Sequence, residues 1–240
     1  MMATVADLSF PSSTGRPMRA ALALPDAPGR RPSVIVIHEI FGLNDDMRRI
    51  AGRFADLGWV ALAPDLYDTE GPRALCVARA MLALRRKDGP AFADLEAARA
   101  WLATRPEVDA ERTGVVGFCM GGGFALLWAV RAPLGAAGVF YGDVPATADE
   151  LRGVCPVVAG YGGRDRLFAN QGRRLESQLA TLGVPHDVRI YPDAGHSYMS
   201  RHEGLLATIA AWGPMKVGFD ATAEADSWRR MEAFFRAHLG

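Results

Sequence analysis

Apolar residues recur along the chain in two patterns, short continuous runs and longer amphipathic stretches. The runs VIVIH, GVVGF and PVVAGY are typical of strands buried on both faces of a parallel sheet. The short runs predict strands at residues 5–10, 18–24, 34–38, 60–63, 113–118, 136–141, 156–161 and 186–191. Stretches with helical periodicity lie between most of them and predict helices at 45–57, 73–86, 91–104, 121–130, 169–182 and 225–238.

Strands that alternate with helices indicate an α/β fold with a mostly parallel, doubly wound sheet. The first two strands, joined by the turn SSTGRP, are predicted to form an antiparallel hairpin. Asn44 or Asp45 is expected to cap the first helix at its N-terminus, and Gly58 to end it. No linker or repeat divides the chain, so one domain over 1–240 is expected. The poorly periodic segment 197–223 is long enough to form a lid or a site wall.

Composition narrows the classes of function. Lys plus Arg and Asp plus Glu both number 27, so a formal net charge of zero offers no footprint for nucleic acid or an anionic membrane. The three widely spaced cysteines form neither a disulfide framework nor a zinc-binding CxxC pair, and no HExxH motif occurs. No secretory leader or membrane-spanning stretch is evident. We expect a cytoplasmic monomer or small homo-oligomer that needs no metal or cofactor and acts on a small molecule.

One motif carries nucleophilic chemistry. Gly117-Phe118-Cys119-Met120-Gly121 lies between a predicted strand and a predicted helix, as G-x-S-x-G does in α/β-hydrolases, with cysteine in place of serine. The flanking glycines remove Cβ atoms that would collide in the sharp turn, and the helix N-terminus favours a thiolate. Cys119 is therefore the candidate nucleophile. Cys76 and Cys155 lack such a setting.

A cysteine nucleophile needs a base, and the base needs an orienting acid. His196 and Asp165 each follow a predicted strand at the carboxyl edge of the sheet, where ligands bind in such folds. The order nucleophile, acid, histidine is that of α/β-hydrolases. Asp193 is the rival acid, and His202 is the alternative base. His38, His186 and His238 are further rival bases. Of these, His186 and His238 are expected to have surface or packing roles.

The segment HEIFG follows the strand at 34–38, where this fold supplies one backbone N–H of the oxyanion hole. The residue after the nucleophile supplies the second. The predicted donors are therefore Ile40 and Met120. Glu39 is then expected to point into the site beside Cys119.

HEIFGLN, APDLY at 63–67, GFCMGG and YPDAGHSY together resemble the dienelactone hydrolase (carboxymethylenebutenolidase) family, over nearly the whole chain. In that family a cysteine replaces serine, and the glutamate of the HE motif moves on substrate binding to take the thiol proton. The resemblance implies that Cys119 is the nucleophile, His196 the base and acid, and Asp165 its orienter. It also implies that Glu39 activates the thiol.

Family members that cleave dienelactone hold the substrate carboxylate with arginines, one in the cap region and one shortly after the histidine. Arg201 lies near the second position, and Arg73, Arg79, Arg85 and Arg86 are candidates for the first. The expected pocket lining comprises Phe41, Phe118, Tyr141, Tyr198 and Met199.

The sequence thus predicts hydrolysis of a small carboxylic ester or lactone through a thioester. Three alternatives stay open. They are a carboxylesterase with a different natural substrate, a glutamine amidotransferase, which also carries G-x-C-x-G, and a non-catalytic hydrolase-fold protein whose thiol binds or senses oxidation.

Overall fold

A computed structural model describes residues 4–67, 72–202 and 212–240. Its strands are β1 (Thr4–Pro11), β2 (Pro17–Leu24), β3 (Arg31–Ile37), β4 (Val60–Pro64), β5 (Val108–Phe118), β6 (Ala136–Phe140), β7 (Val157–Gly162) and β8 (His186–Tyr191). Its helices are α1 (Asp45–Asp56), α2 (Arg73–Arg86), α3 (Pro90–Ala103), α4 (Met120–Ala129), α5 (Ala169–Leu182) and α6 (Ala221–Leu239). A 3₁₀ turn, Ala148–Leu151, precedes β7.

The eight strands form one sheet in the order β1-β2-β4-β3-β5-β6-β7-β8. The β1–β2 and β2–β4 pairs are antiparallel, and every pair from β4 to β8 is parallel. The predicted α/β fold, with a mostly parallel sheet and an N-terminal antiparallel hairpin, is therefore confirmed. The parallel strands all end at one edge, which brings the loops after β3, β5, β7 and β8 together.

Both faces of the sheet are covered. Residues of α2, α3, α4 and α5 pack on one face with side chains such as Val115, while α1 and α6 pack on the other with Val34 and Val116. Every residue of α4 is buried, which is why this helix is apolar all round rather than amphipathic. The continuous apolar runs in the sequence reflect this double coverage.

Two elements, β5 and α6, begin four or more residues before their predicted starts. β5 begins at Val108, five residues before the predicted strand, because the polar stretch Asp109–Arg112 obscures a segment that pairs with β3 through Arg31. α6 begins at Ala221 because the Asp220 side chain accepts hydrogen bonds from the backbone N–H groups of Thr222 and Ala223. At α1 the N-cap is Asn44, whose side chain accepts from the Met47 N–H.

Candidate active site

Cys119 occupies a sharp turn between β5 and α4. Its φ of 53° and ψ of −117° lie outside the regions that L-residues favour. A Cβ at Gly117 would lie 1.9 Å from the Gly121 carbonyl oxygen, and a Cβ at Gly121 would lie 2.3 Å from the Ile37 carbonyl oxygen. Glycine is therefore required on both sides of the turn. The Cys119 N–H donates to the Phe140 carbonyl oxygen at 3.0 Å, which holds the turn against β6.

His196 and Asp165 lie together in the loops after β8 and β7, both buried. His196 Nδ1 is 2.6 Å from Asp165 Oδ2. The other carboxylate oxygen, Oδ1, accepts from the backbone N–H groups of Leu167 and Phe168 at 3.0 and 3.1 Å. The carboxylate orients the ring so that Nε2 is left for another partner, and within the described part of the chain Nε2 has no hydrogen bond.

The electrostatics of His196 follow from these neighbours. Burial by itself lowers the pKa of the imidazole, but Asp165 and the sulfur of Cys119 outweigh it and raise the pKa of His196 to about 10. Cys119 therefore lies close enough to His196 to interact with it. Asp193, the rival acid, is exposed in the preceding turn, and Asp165 holds the position beside the ring.

The backbone of His196 is braced by part of the segment 197–223. The His196 N–H donates to the Met215 carbonyl at 2.9 Å, and its carbonyl accepts from the Gly218 N–H at 3.1 Å. A Cβ at Gly195 would lie 1.6 Å from the Lys216 carbonyl oxygen, so the backbone segments at residues 195 and 216 are closely packed. The lid predicted over 197–223 includes residues 203–211, which lie outside the described residues.

Glu39 is buried, and its carboxylate has two partners from the loop after β8. Oε1 accepts from Ser200 Oγ at 2.9 Å, and Oε2 lies 2.7 Å from His202 Nε2 in an electrostatic contact rather than a well-aligned hydrogen bond. Burial raises the pKa of Glu39, while His202 and Ser200 outweigh it and hold the pKa below its usual range. Ser200 and His202 hold the carboxylate of Glu39, and the expected position of Glu39 beside Cys119 stays a prediction.

Sequence reasoning missed Ser200 altogether and treated His202 as an alternative base. His202 is instead the partner of Glu39, and Glu39 raises the pKa of His202 against the opposing effect of burial. Ser200 also lies 3.1 Å from the hydroxyl of Tyr141, which extends the network. Ser200 and His202 follow His196 by four and six residues, and this closeness in sequence was the available signal. A sequence cannot show which side of the loop these side chains face.

The two predicted oxyanion donors come from the loops after β3 and β5. In the described residues, neither the Ile40 nor the Met120 backbone N–H has a backbone acceptor. Met120 begins α4, so its N–H also has no partner inside the helix. Within the described residues, both N–H groups therefore lack a backbone acceptor, as the predicted role of oxyanion donor requires.

The residues expected to contact substrate fall into different environments. Phe41 is 42% exposed and its ring lies 4.7 Å from that of His202, at the site surface. Tyr141 is buried, with its ring 5.1 Å from that of His196, so it supports the imidazole. Tyr198 and Arg201 have partners of their own, and their role in substrate binding stays a prediction. The Tyr198 hydroxyl is buried 2.9 Å from Ser227 of α6, and the Arg201 guanidinium lies over Phe219, 4.9 Å from the ring centre.

The other lining candidates are also core residues. Phe118 stacks on Phe140 with ring centres 5.6 Å apart, and Met199 is fully buried. Of the cap-region arginines, Arg73 lies 5.8 Å from the ring centre of Tyr67.

Over 4–67, 72–202 and 212–240, no three His, Cys, Asp or Glu side chains are arranged to hold a metal ion. No helix in the same ranges is both long enough and apolar enough to cross a bilayer.

The sheet order, the turn at Cys119 and the loops that meet there define an α/β-hydrolase. The chain belongs to the dienelactone hydrolase family, whose model matches residues 18–239. The predicted resemblance is therefore confirmed, and the chain is a hydrolase.

Individual relatives agree with this assignment. The chain is 30% identical to a carboxymethylenebutenolidase of Rhodococcus opacus over 228 residues, 88% of this chain and 83% of the relative. It is also similar to the crystal structure of P91, a dienelactone hydrolase-like promiscuous phosphotriesterase from metagenomic libraries, with 28% identity, full coverage of both chains and a TM-score of 0.84. An esterase from Pyrobaculum calidifontis, 17% identical over 99% of this chain and 86% of its own, shares the fold with a TM-score of 0.70.

Proposed function

We propose that the chain hydrolyses a small carboxylic ester or lactone with Cys119 as the nucleophile. The observation that carries the proposal is the Cys119 elbow next to a histidine whose Nδ1 lies 2.6 Å from a buried aspartate. An α/β-hydrolase with this arrangement can form and break a thioester. The carboxymethylenebutenolidase of Rhodococcus opacus supports a lactone among the candidate substrates.

The reaction takes two steps. In the first, the Cys119 thiolate attacks the carbonyl carbon, and the negative oxygen accepts hydrogen bonds from the Ile40 and Met120 N–H groups. The intermediate collapses as protonated His196 gives its proton to the leaving alkoxide, which leaves a thioester. In the second, neutral His196 takes a proton from water, and the resulting hydroxide attacks the thioester. The bond to sulfur breaks, which regenerates the Cys119 thiolate and releases the carboxylic acid product. In a lactone the alkoxide stays tethered to the acyl group, so the ring opens.

Glu39 acts as a proton acceptor for the thiol only after its carboxylate has left Ser200 and His202. In the arrangement observed, both carboxylate oxygens are occupied by those two residues. We therefore propose that a bound substrate breaks this contact before Glu39 reaches Cys119. An amidotransferase is less well supported, because Asp165 is committed to His196 and the His-x-Glu sequence of those enzymes is missing.

The first test compares cis-dienelactone with a p-nitrophenyl ester for the wild type and Cys119→Ala. We expect hydrolysis of at least one substrate, a fall in rate of roughly 10⁴-fold or more in the variant, and a retained fold. Acid-quenched enzyme should carry an acyl group on the Cys119 peptide. The matched control is Cys155→Ala, since burial raises the pKa of the Cys155 thiol to about 12 and its loss should leave the rate unchanged.

The two substrates separate the alternatives. Preference for the lactone supports a dienelactone-like substrate, and cleavage of the ester alone indicates a carboxylesterase with another natural substrate. Full activity in Cys119→Ala would contradict the mechanism. Absence of turnover on both, with Cys119 still readily oxidised, would favour the thiol-sensing alternative.

A phosphotriester is a second candidate substrate class. The observation that favours it is the similarity to P91 over the full length of both chains. The same thiolate would attack phosphorus, and the leaving group would depart from the opposite side. Release of p-nitrophenol from paraoxon, lost in Cys119→Ala, would support this activity.

A further inference from the structure

His38 is a fully buried histidine that the proposed reaction does not use. It follows β3 and precedes Glu39, so it stands at the base of the loop that supplies the Ile40 donor. Its Nδ1 lies 2.6 Å from the Glu39 carbonyl oxygen, and its Nε2 lies 3.0 Å from the Leu66 backbone nitrogen. Both ring nitrogens are therefore hydrogen-bonded inside the protein.

These partners determine the tautomer. A carbonyl oxygen can only accept and a backbone N–H can only donate, so Nδ1 carries the proton and Nε2 keeps its lone pair. His38 is thus neutral in this arrangement. Burial lowers the pKa of His38, in keeping with a neutral ring, although the Glu39 carbonyl and Asp65 oppose the effect.

The bond to Glu39 also orients the next backbone donor. The Glu39 carbonyl and the Ile40 N–H belong to one planar trans peptide, so they point in opposite directions. The same carbonyl accepts a second hydrogen bond from the Gly42 N–H at 3.0 Å, which closes the turn over residues 39–42. With two donors on the carbonyl, the peptide plane is held against rotation.

The order of strands in the sheet determines which way the Glu39–Ile40 peptide faces. β3 lies between β4 and β5. Leu66 follows β4, so the His38 ring and the Glu39 carbonyl are drawn toward the β4 side. From this geometry we infer that the Ile40 N–H, on the opposite side of the same peptide, faces the β5 side, where Cys119 follows the strand.

The same segment after β4 also contacts the second donor residue. The Tyr67 hydroxyl donates to Met120 Sδ at 3.3 Å, and the Tyr67 ring lies 4.7 Å from the His38 ring. The APDLY segment therefore contacts both residues that lead to the oxyanion donors. This explains why a motif without a reactive side chain lies next to the site.

We propose that His38 is a positioning residue that directs the Ile40 N–H into the oxyanion hole through the Glu39 carbonyl. The assignment rests on the proposed function, since it needs an oxyanion formed at Cys119. It gives His38 a role in the transition state that is separate from its contribution to stability.

Two substitutions separate these roles. In His38→Asn the side-chain amide nitrogen can occupy the place of Nδ1 and still donate to Glu39, while the bond to Leu66 is lost. His38→Leu removes both bonds and fills a similar volume. Both variants lose the Leu66 contact, so they differ in the donor to Glu39.

We expect His38→Leu to lower kcat about tenfold or more with little change in KM, since one oxyanion donor is worth up to 10²–10³-fold. His38→Asn should keep kcat near the wild-type value. A trifluoromethyl ketone, whose carbonyl carbon the thiolate attacks to form a tetrahedral oxyanion, should bind more weakly to His38→Leu by a similar factor. The rate of Cys119 alkylation by iodoacetamide, which forms no oxyanion, should be alike in all three proteins.

Equal losses of kcat in both variants, or wild-type kcat in His38→Leu, would overturn the assignment. So would a parallel fall in alkylation, which would indicate general disruption of the site. Cys119→Ala is measured beside them. If it retained activity, the proposed function itself would fail, whereas loss in Cys119→Ala with full activity in His38→Leu would remove only the role of His38.

Discussion

Cys119, His196 and Asp165 depend on their surroundings for their chemistry. Asp165 has both oxygens engaged, one by His196 and the other by two backbone N–H groups, so it stays an acceptor. His196 is held by that carboxylate and contacts the rings of Tyr141 and Phe168, with ring-centre distances of 5.1 and 4.9 Å. The imidazole can therefore turn only a little, and its free nitrogen keeps one direction.

Removal of the Asp165 charge should lower the pKa of His196. In the wild type the pKa of about 10 lies above the ordinary value of 6.5, so the protonated pair stabilises the fold below pH 6.5 and this contribution is lost as the pH rises toward 10. In Asp165→Asn, the His196 pKa measured by NMR should be lower than in the wild type. The decrease in the free energy of unfolding caused by the substitution should be larger at pH 6 than at pH 9.5. Its kcat should fall by about 10⁴-fold. An unchanged His196 titration would contradict this account.

The β5–α4 junction shows how one element positions the nucleophile. α4 packs so closely on the end of β3 that a Cβ on Gly121 would lie 2.3 and 2.6 Å from the Ile37 and His38 carbonyl oxygens. The helix is apolar on all sides and wholly buried, so it has no room to shift outward. The strained turn at Cys119 is thus held by packing on both sides.

Gly121→Ala should break this junction. Its Cβ would lie 2.3 Å from the Ile37 carbonyl oxygen, and overpacking that forces the backbone to move costs about 1–3 kcal/mol. Urea unfolding should show the loss, and Cys119-dependent hydrolysis should fall with it. The matched control is Gly218→Ala, where an added Cβ meets nothing within 4 Å and little loss of stability is expected.

At the scale of the whole molecule, the site joins loops that are far apart in sequence. The contact of Glu39 with Ser200 and His202 links the loop after β3 to the loop after β8. It is possible because the crossovers of the sheet bring the ends of these strands to one edge. Glu39, the carboxylate that the family resemblance assigns to the thiol, is therefore bound by residues of a loop far away in sequence.

His202→Gln should release Glu39. The charged partner is removed while a polar side chain of similar reach stays, and a charge-assisted contact of this kind contributes on the order of 1 kcal/mol or more. We expect the alkylation of Cys119 near neutral pH to become about fivefold faster, which corresponds to that free energy. The control is His202→Gln combined with Glu39→Gln. If the double variant reacted as fast as the single one, Glu39 would not be the group released.

The element plan followed from the sequence alone. The strands, the helices, the antiparallel hairpin and the family were all predicted, because continuous apolar runs, helical periodicity and the G-x-C-x-G turn each reflect local physical requirements. The polar beginning of β5 was missed because only pairing with β3 makes it a strand. The chain order of Cys119, Asp165 and His196 was also sufficient to propose them together.

Only the tertiary structure decided which neighbours the other polar side chains have. The sequence cannot show that Glu39 turns to Ser200 and His202, that Tyr198 is buried against Ser227, or that His38 joins Leu66 to Glu39. These contacts join residues from different loops, or a loop and α6, and they depend on sheet order and on which way each loop turns. A local pattern carries the period of its own element, whereas the direction of a buried side chain is set by whatever packs against it.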